Sequence, residues 1–450
     1  MNQRKTGPVL LLFSVLFAIL FVSLVHFQIP PHIPLLVSLV ITAGYGFLTG
    51  SDWRSMEKGI ITGISKGLQP ILILLVVGLV IAGWMIGGTV PTLLVYGMEW
   101  IDPEWFAISA LFITILVSTF AGSSFTTVGT IGVALMGVAS AMGISPGLAA
   151  GAVICGACFG DKMSPLSDST NLASGTAGVN LFTHIRHLTG TTVPALLVTV
   201  VLFAVIGTPA SSGELTRLTD IKQTLQQSFP IHPLTLAPPL IVMGLAYRRY
   251  PVLPTLMSGL LASVLFSFVL IPDLTLPRLM EVLQNGPDME TGNEAVNAIV
   301  NKGGLQSMMG TVSLILITLA LGGLTKTLGL FDLLLQAIRG SLRRTGHLIA
   351  ATAASSVGVN LLAGEMYLSI LLPGQAFKSV YEEQNIPLKH LSRTLEDAGT
   401  LINPLIPWGV SGAFFASTLG VSVGEYLPFT FFLYLSLLMT LIMGYRRQRS

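Results

Sequence analysis

Stretches of about 20 apolar residues, the length that covers the hydrocarbon core of a bilayer, recur along this chain between short polar segments. The pattern predicts membrane spans at 8–27, 33–50, 70–90, 188–207, 234–250, 252–271, 309–330 and 425–445. Two further apolar regions, 105–143 and 348–378, are each too long for one span and carry no charged turn in the middle. Their only interruptions are Gly122-Ser123-Ser124 and Gly364-Glu365, so each is read as a re-entrant hairpin of two half-helices. Regions 147–183 and 388–420 read as spans broken at 160–176 and 403–408. Irregular backbone at membrane depth is tolerated only where it is buried in protein or lines a cavity.

Positive charge orients this layout, because Lys and Arg concentrate in cytoplasmic loops. With the N-terminus inside, the cytoplasmic segments hold 17 of them: Arg4, Lys5, Arg54, Lys58, Lys66, Arg186, Arg248, Arg249, Arg339, Arg343, Arg344, Lys378, Lys389, Arg393, Arg446, Arg447 and Arg449. The outside segments hold 4, namely Arg217, Lys222, Arg278 and Lys302. Lys162 and Lys326 fall within spans, which completes the 23. Both termini are therefore expected in the cytoplasm.

Shifting the chain by 242 brings break onto break. Gly122 falls on Gly364, Asp161 on Asn403, Pro165 on Pro407 and Ser169 on Ser411, and a shift of 237 aligns Gly67-Leu68-Gln69 with Gly304-Leu305-Gln306. Each half then holds five spans and one hairpin. Five is odd, so the halves are inverted repeats, 1–207 and 234–450, joined by an extracytoplasmic linker at 208–233.

Composition agrees with the class. Charged residues make up 10% of the 450 positions, against about 25% in soluble domains. A net charge of +2 gives no sign of a nucleic-acid partner. The two cysteines, Cys155 and Cys158, cannot complete a zinc shell and read as small packing residues. The basic, then apolar N-terminus lacks a small-residue cleavage site and reads as an uncleaved first span.

Inverted repeats with interrupted helices are how many secondary transporters build a site at the midplane. The breaks here are rich in oxygen donors: Ser123, Ser124, Thr126 and Thr127; Asp161, Ser164, Ser167, Asp168 and Asn171; Asn360, Glu365 and Ser369; Asn403 and Ser411. Hard cations take oxygen ligands, so sodium is expected at Asp161, Asp168 and Asn403, with Glu365 a further proton- or cation-linked carboxylate. A carboxylate withdrawn from water holds its proton more tightly, and competition between proton and cation is sufficient for exchange. Lys162 is the candidate charge partner of Asp161 or Asp168. Glu396 and Asp397, the other two acidic residues at membrane depth, lie one turn past Arg393 and are read at least as readily as an intrahelical ion pair near the interface as site residues. His184 and His187 are expected in water.

The run Gly160-Asp161-Lys162-Met163-Ser164-Pro165-Leu166-Ser167-Asp168-Ser169-Thr170-Asn171 resembles the signature of the NhaC-type sodium/proton antiporters, within the ion-transporter superfamily of inverted-repeat carriers. Residues 119–130 and 395–412 resemble the same family. The resemblance covers roughly 35–445 and implies exchange of sodium for protons across the bacterial plasma membrane. Some relatives couple these ions to malate or lactate, which leaves a small-carboxylate exchanger as the alternative. An intramembrane hydrolase is a third reading, and Asp161 aligning with Asn403 rather than with a second aspartate speaks against it. The expected partners are lipid, Na+ and H+, with malate or lactate and a second copy of the chain as further ones, and no cofactor.

Overall fold

A computed structural model describes residues 6–206, 214–248, 250–339 and 344–446 of the chain. Arg4, Lys5, Arg249, Arg343, Arg447 and Arg449, which entered the charge count, lie outside the described residues. The fold is all-α, with no strand among the described residues. Among the described residues, eight helices are long and apolar enough to cross a membrane, which makes this a multi-pass membrane protein.

The expected spans appear as helices, with two main differences: the span expected at 234–250 is the short helix Ala237–Tyr247 behind a 3-10 turn, bent by 96° from the helix before it, and the other difference is at the C-terminal end. There the short helix Val423–Tyr426 and a 3-10 turn precede Phe431–Arg446, with a bend of 58° between them. The short polar segments are also helical where a face can dock, as in Trp53–Lys66, Thr89–Trp100 and Leu276–Asn285. The described part of the expected linker holds helix Glu214–Ser228. Its Ile221 and Leu225 are buried, and its Lys222 pairs with Glu99 at 2.5 Å.

The two expected hairpin breaks share one construction. Helix Phe106–Ala121 ends on Gly122 at φ 64°, and Thr345–Ala363 ends on Gly364 at φ 62°. Both glycines occupy the left-handed region that closes helix C-termini without a Cβ clash. The next residue caps the following helix: Ser123 accepts from the Thr126 N–H, and Glu365 from those of Tyr367 and Leu368. The arms are as long as spans, Ser124–Ala141 having 18 residues and Thr345–Ala363 19.

The break expected at 160–176 is much shorter. Helix Pro146–Met163 runs to Met163, only residues 164–167 are non-helical, and helix Asp168–Ala177 follows. Pro165 sets this boundary, because a residue before proline is pushed out of the helical region and Ser164 is extended at ψ 130°. Asp161 and Lys162 therefore sit in the last helical turn rather than in a loop. The second break is wider than expected. A π-helical turn, Glu396–Thr400, precedes the short 3-10 turn Asn403–Leu405, and regular helix resumes at Val410–Leu419.

Close packing places Asp161. At Gly160 a Cβ would collide with Ser118 and with backbone atoms of Ile115 and Thr119 on helix Phe106–Ala121. The Ser118 hydroxyl donates to the Ala157 carbonyl at 2.6 Å. Small residues allowing helices to approach closely is the usual device inside a bilayer. Here it brings Asp161 to the tip of the neighbouring helix pair.

Candidate ion-binding site

Three carboxylates, Asp161, Asp168 and Glu365, line one cavity of about 420 Å³, together with Ser123, Ser167, Ser169, Tyr367 and Ser411. The helices that start at Ser124, Asp168, Met366 and Val410 all begin at or beside its wall. Helix N-termini carry partial positive charge, and the carboxylates answer it. Asp161 Oδ2 accepts from the Ser124 N–H at 3.0 Å and from the Ser124 hydroxyl at 2.7 Å. Glu365 is 5% exposed, and its two oxygens accept from the Tyr367 N–H at 2.9 Å and the Leu368 N–H at 2.7 Å. Asp168 sits in the first turn of its own helix and accepts no hydrogen bond from the described residues. Of the three, Asp168 has its carboxylate available to a ligand, Asp161 has one oxygen held, and Glu365 serves as a helix cap with both oxygens engaged.

Other expected site residues shape the cavity without lining it. The Thr126 N–H and hydroxyl bond Ser123 Oγ at 3.2 and 3.1 Å, and the Thr127 hydroxyl donates to the Ser123 carbonyl at 3.0 Å. Asn171 ties the break shut by donating to the carbonyls of Pro165 and Ser167 at 3.0 and 2.8 Å. Asn403 departs from its expected role as a sodium ligand beside Asp161. Its amide donates to Asn360 Oδ1 and the Gly364 carbonyl, and its carbonyl accepts from the Ser411 N–H at 2.7 Å. The wide break frees backbone groups, and this buried amide satisfies them; it clamps Ser411 into the cavity wall.

Lys162 also departs from expectation. It pairs with Asp397 at 2.5 Å, and both side chains are fully buried. The reason is helical phase. Successive residues point about 100° apart around a helix, so Asp161 facing the cavity turns Lys162 towards 396–397. Asp397 accepts in addition from Thr191 at 3.2 Å and Thr440 at 2.5 Å. Glu396 and Asp397 are fully buried, and Arg393 directs Nη1 towards His187 Nε2 at 3.4 Å. The histidines are not simply in water either. His184 is buried with Nδ1 2.9 Å from Ser392 Oγ, and His187 meets His390 at 3.2 Å. Apart from Thr440–Asp397, these contacts join residues more than 200 positions apart, which no local pattern in the sequence reveals.

A second cavity of about 300 Å³ is lined by Lys58, Lys66, Lys326 and Glu365. Lys66 and Glu365 border both cavities, so the Glu365 cap stands between them.

A bundle of membrane helices whose helix breaks surround an acidic, hydroxyl-lined cavity defines a membrane carrier. The chain belongs to the Na+/H+ antiporter family, whose profile matches residues 156–446. It is similar to "Na(+)/H(+) antiporter NhaC" of Alkalihalophilus pseudofirmus, 54% identical over 99% of this chain and 96% of the relative. It is also similar to the protein of the same name in Bacillus subtilis, 50% identical over 99% of both chains. The "Malate-2H(+)/Na(+)-lactate antiporter" of Bacillus subtilis is 32% identical over 97% of this chain and 94% of that one.

Proposed function

We infer that this protein is a secondary antiporter, not an enzyme, that exchanges sodium for protons across the plasma membrane by alternating access. The observation that carries the reading is the pair Asp161 and Asp168 on the wall of one cavity, with Asp161 fixed by Ser124 at a helix N-terminus. Sodium binds between these two carboxylates, with hydroxyls such as Ser123 within the same cavity. A fixed carboxylate lowers the reorganisation needed when the ion arrives.

The halves are inverted repeats in this reading, and element boundaries support it. Helix Ser124–Ala141 repeats as Met366–Glu383, and Asp168–Ala177 as Val410–Leu419, each 242 residues on at both ends. Leu68–Ile86 repeats as Met309–Thr327 at 241 rather than at the 237 expected from Gly67. Both termini lie in the cytoplasm, and the lysine-lined cavity is the cytoplasmic approach to the site.

Exchange of malate or lactate is the second reading, which the four helix N-termini would serve. The three cavity carboxylates repel an organic anion, Lys162 is engaged by Asp397, and Lys66 is the one lysine set against three carboxylates on the cavity wall. Sodium-driven dequenching of a pH dye in proteoliposomes, with and without malate and lactate, separates the two. The expected result is full exchange with sodium alone; a strict requirement for either acid would replace this reading with the second.

A further inference from the structure

Glu396 is fully buried in the π-helical turn Glu396–Thr400, outside the cavity wall. π-turns are rare and gather at functional sites. This one leaves carbonyls without helical partners, and Asn360 answers by donating to those of Gly399 at 2.7 Å and Ala398 at 3.3 Å. The Glu396 carboxyl itself is half satisfied. Oε1 accepts from the Ser169 hydroxyl at 3.0 Å, while Oε2 has no hydrogen-bond partner among the described residues. Burying an anion with one oxygen bare is costly, and a neutral acid fits the same space.

The Ser169 hydroxyl in turn lies 3.1 Å from Ser167 Oγ, and both serines border the cavity that holds Asp161 and Asp168. Two hydroxyls thus connect the buried acid to the cavity. A hydroxyl both donates and accepts and can rotate between the two, so the chain conducts a proton in either direction. On release, Glu396 donates to Ser169, Ser169 passes its own proton to Ser167, and Ser167 passes its proton to water in the cavity. Uptake reverses every step, and no other atom changes partner.

We propose that Glu396 carries the exchanged proton, delivered to and from the sodium cavity through Ser169 and Ser167. Sodium and proton then occupy different carboxyls. A cation arriving two hydroxyls away stabilises the Glu396 anion, so the proton leaves as sodium binds. The charged groups facing Glu396 are Lys162 and Asp161 on helix Pro146–Met163, with Asp397 beside it on its own turn and Asp168 opening helix Asp168–Ala177. Arg393 lies one turn earlier, with Nη1 towards His187. Helix Leu388–Leu395 adds Lys389 and His390, and the other helices packed on the turn carry His347, Lys378, Glu382 and Glu383, and Tyr367, Tyr381, Tyr434 and Tyr445. The Lys162 charge is matched by Asp397, which leaves the Glu396 proton to answer the cavity.

The inference rests on sodium binding at Asp161 and Asp168, and Asp161→Asn tests that separately, since it should lose sodium binding. Glu396→Gln keeps the acceptor for Ser169 but cannot exchange a proton. In purified, unbuffered protein, wild type should release protons when sodium is added, and its sodium Kd should rise about tenfold for each unit fall in pH on the acid side. Glu396→Gln should bind sodium with a Kd that varies less than about twofold with pH and should release no proton. Ser169→Ala should keep the equilibrium pH dependence but slow proton release. Wild-type proton release from Glu396→Gln, or loss of sodium binding by that variant while folded, would overturn the proposal. If Glu396→Gln does not fold, the infrared difference spectrum of wild type on sodium addition decides. Loss of a protonated-carboxyl band supports the proposal, and a spectrum without one refutes it.

Discussion

Replacing Lys162 with Met should destabilise the protein more than any loss of packing explains. The ammonium and the Asp397 carboxylate are both fully buried at 2.5 Å, and removing one partner of such a pair typically costs about 3–5 kcal/mol because a bare charge remains. Asp397 would keep its bonds from Thr191 and Thr440, which places the expected loss at the lower end, about 3 kcal/mol. Methionine keeps most of the lysine stem, so the cavity contribution is small. The double variant Lys162→Met/Asp397→Asn removes both charges while Asn still accepts from the two threonines. It should lie within about 1 kcal/mol of wild type, far below the sum of the two single-variant losses. Denaturant titration of the purified protein in detergent, followed by tryptophan fluorescence, measures all four forms. Additive losses in the double variant, or a single-variant loss below about 1 kcal/mol, would show that the pair does not behave as a buried ion pair.

Other expectations follow from the same contacts. A cysteine at Asp288 should label from outside intact cells and one at Glu383 should not; the reverse pattern would invert the topology. Glu365→Gln should keep most exchange and lose about 1 kcal/mol of stability, as expected for a weakened helix cap. A large drop in sodium affinity at unchanged stability would instead make Glu365 a ligand. Gly160→Val should push helices Phe106–Ala121 and Pro146–Met163 apart, costing about 1–3 kcal/mol, and should lower sodium affinity with it because Asp161 loses its place beside Ser124. Normal affinity in a folded Gly160→Val variant would detach the site from this packing.

What the sequence revealed follows from which forces are local. Span positions came from runs of apolar residues, and the hairpin tips from glycine followed by a capping residue, both readable in a few adjacent positions. The expected donors that line the cavity, Ser123, Asp161, Ser167, Asp168, Glu365 and Ser411, sit at those tips and at the two helix breaks. Lys162 and Asp397 were misread because their pairing spans 235 residues and depends on helix phase, while Arg393 offered a nearer partner on paper. Asn403 looked like a ligand because its type suits one. Only the contacts made by its amide and carbonyl show that it clamps the break. The register of 241 between Leu68–Ile86 and Met309–Thr327 was hidden because apolar helix residues match at many offsets.

The central claim is that the exchanged sodium binds at Asp161. In proteoliposomes, an inward or outward sodium gradient should move protons through wild type. Asp161→Asn keeps an acceptor for Ser124 and removes the charge, a loss of about 4 kcal/mol of attraction at a separation of about 4 Å under an effective dielectric of about 20. The inserted variant should then need at least about 100-fold more sodium for the same proton flux. Exchange by Asp161→Asn at wild-type sodium concentrations would place the site elsewhere.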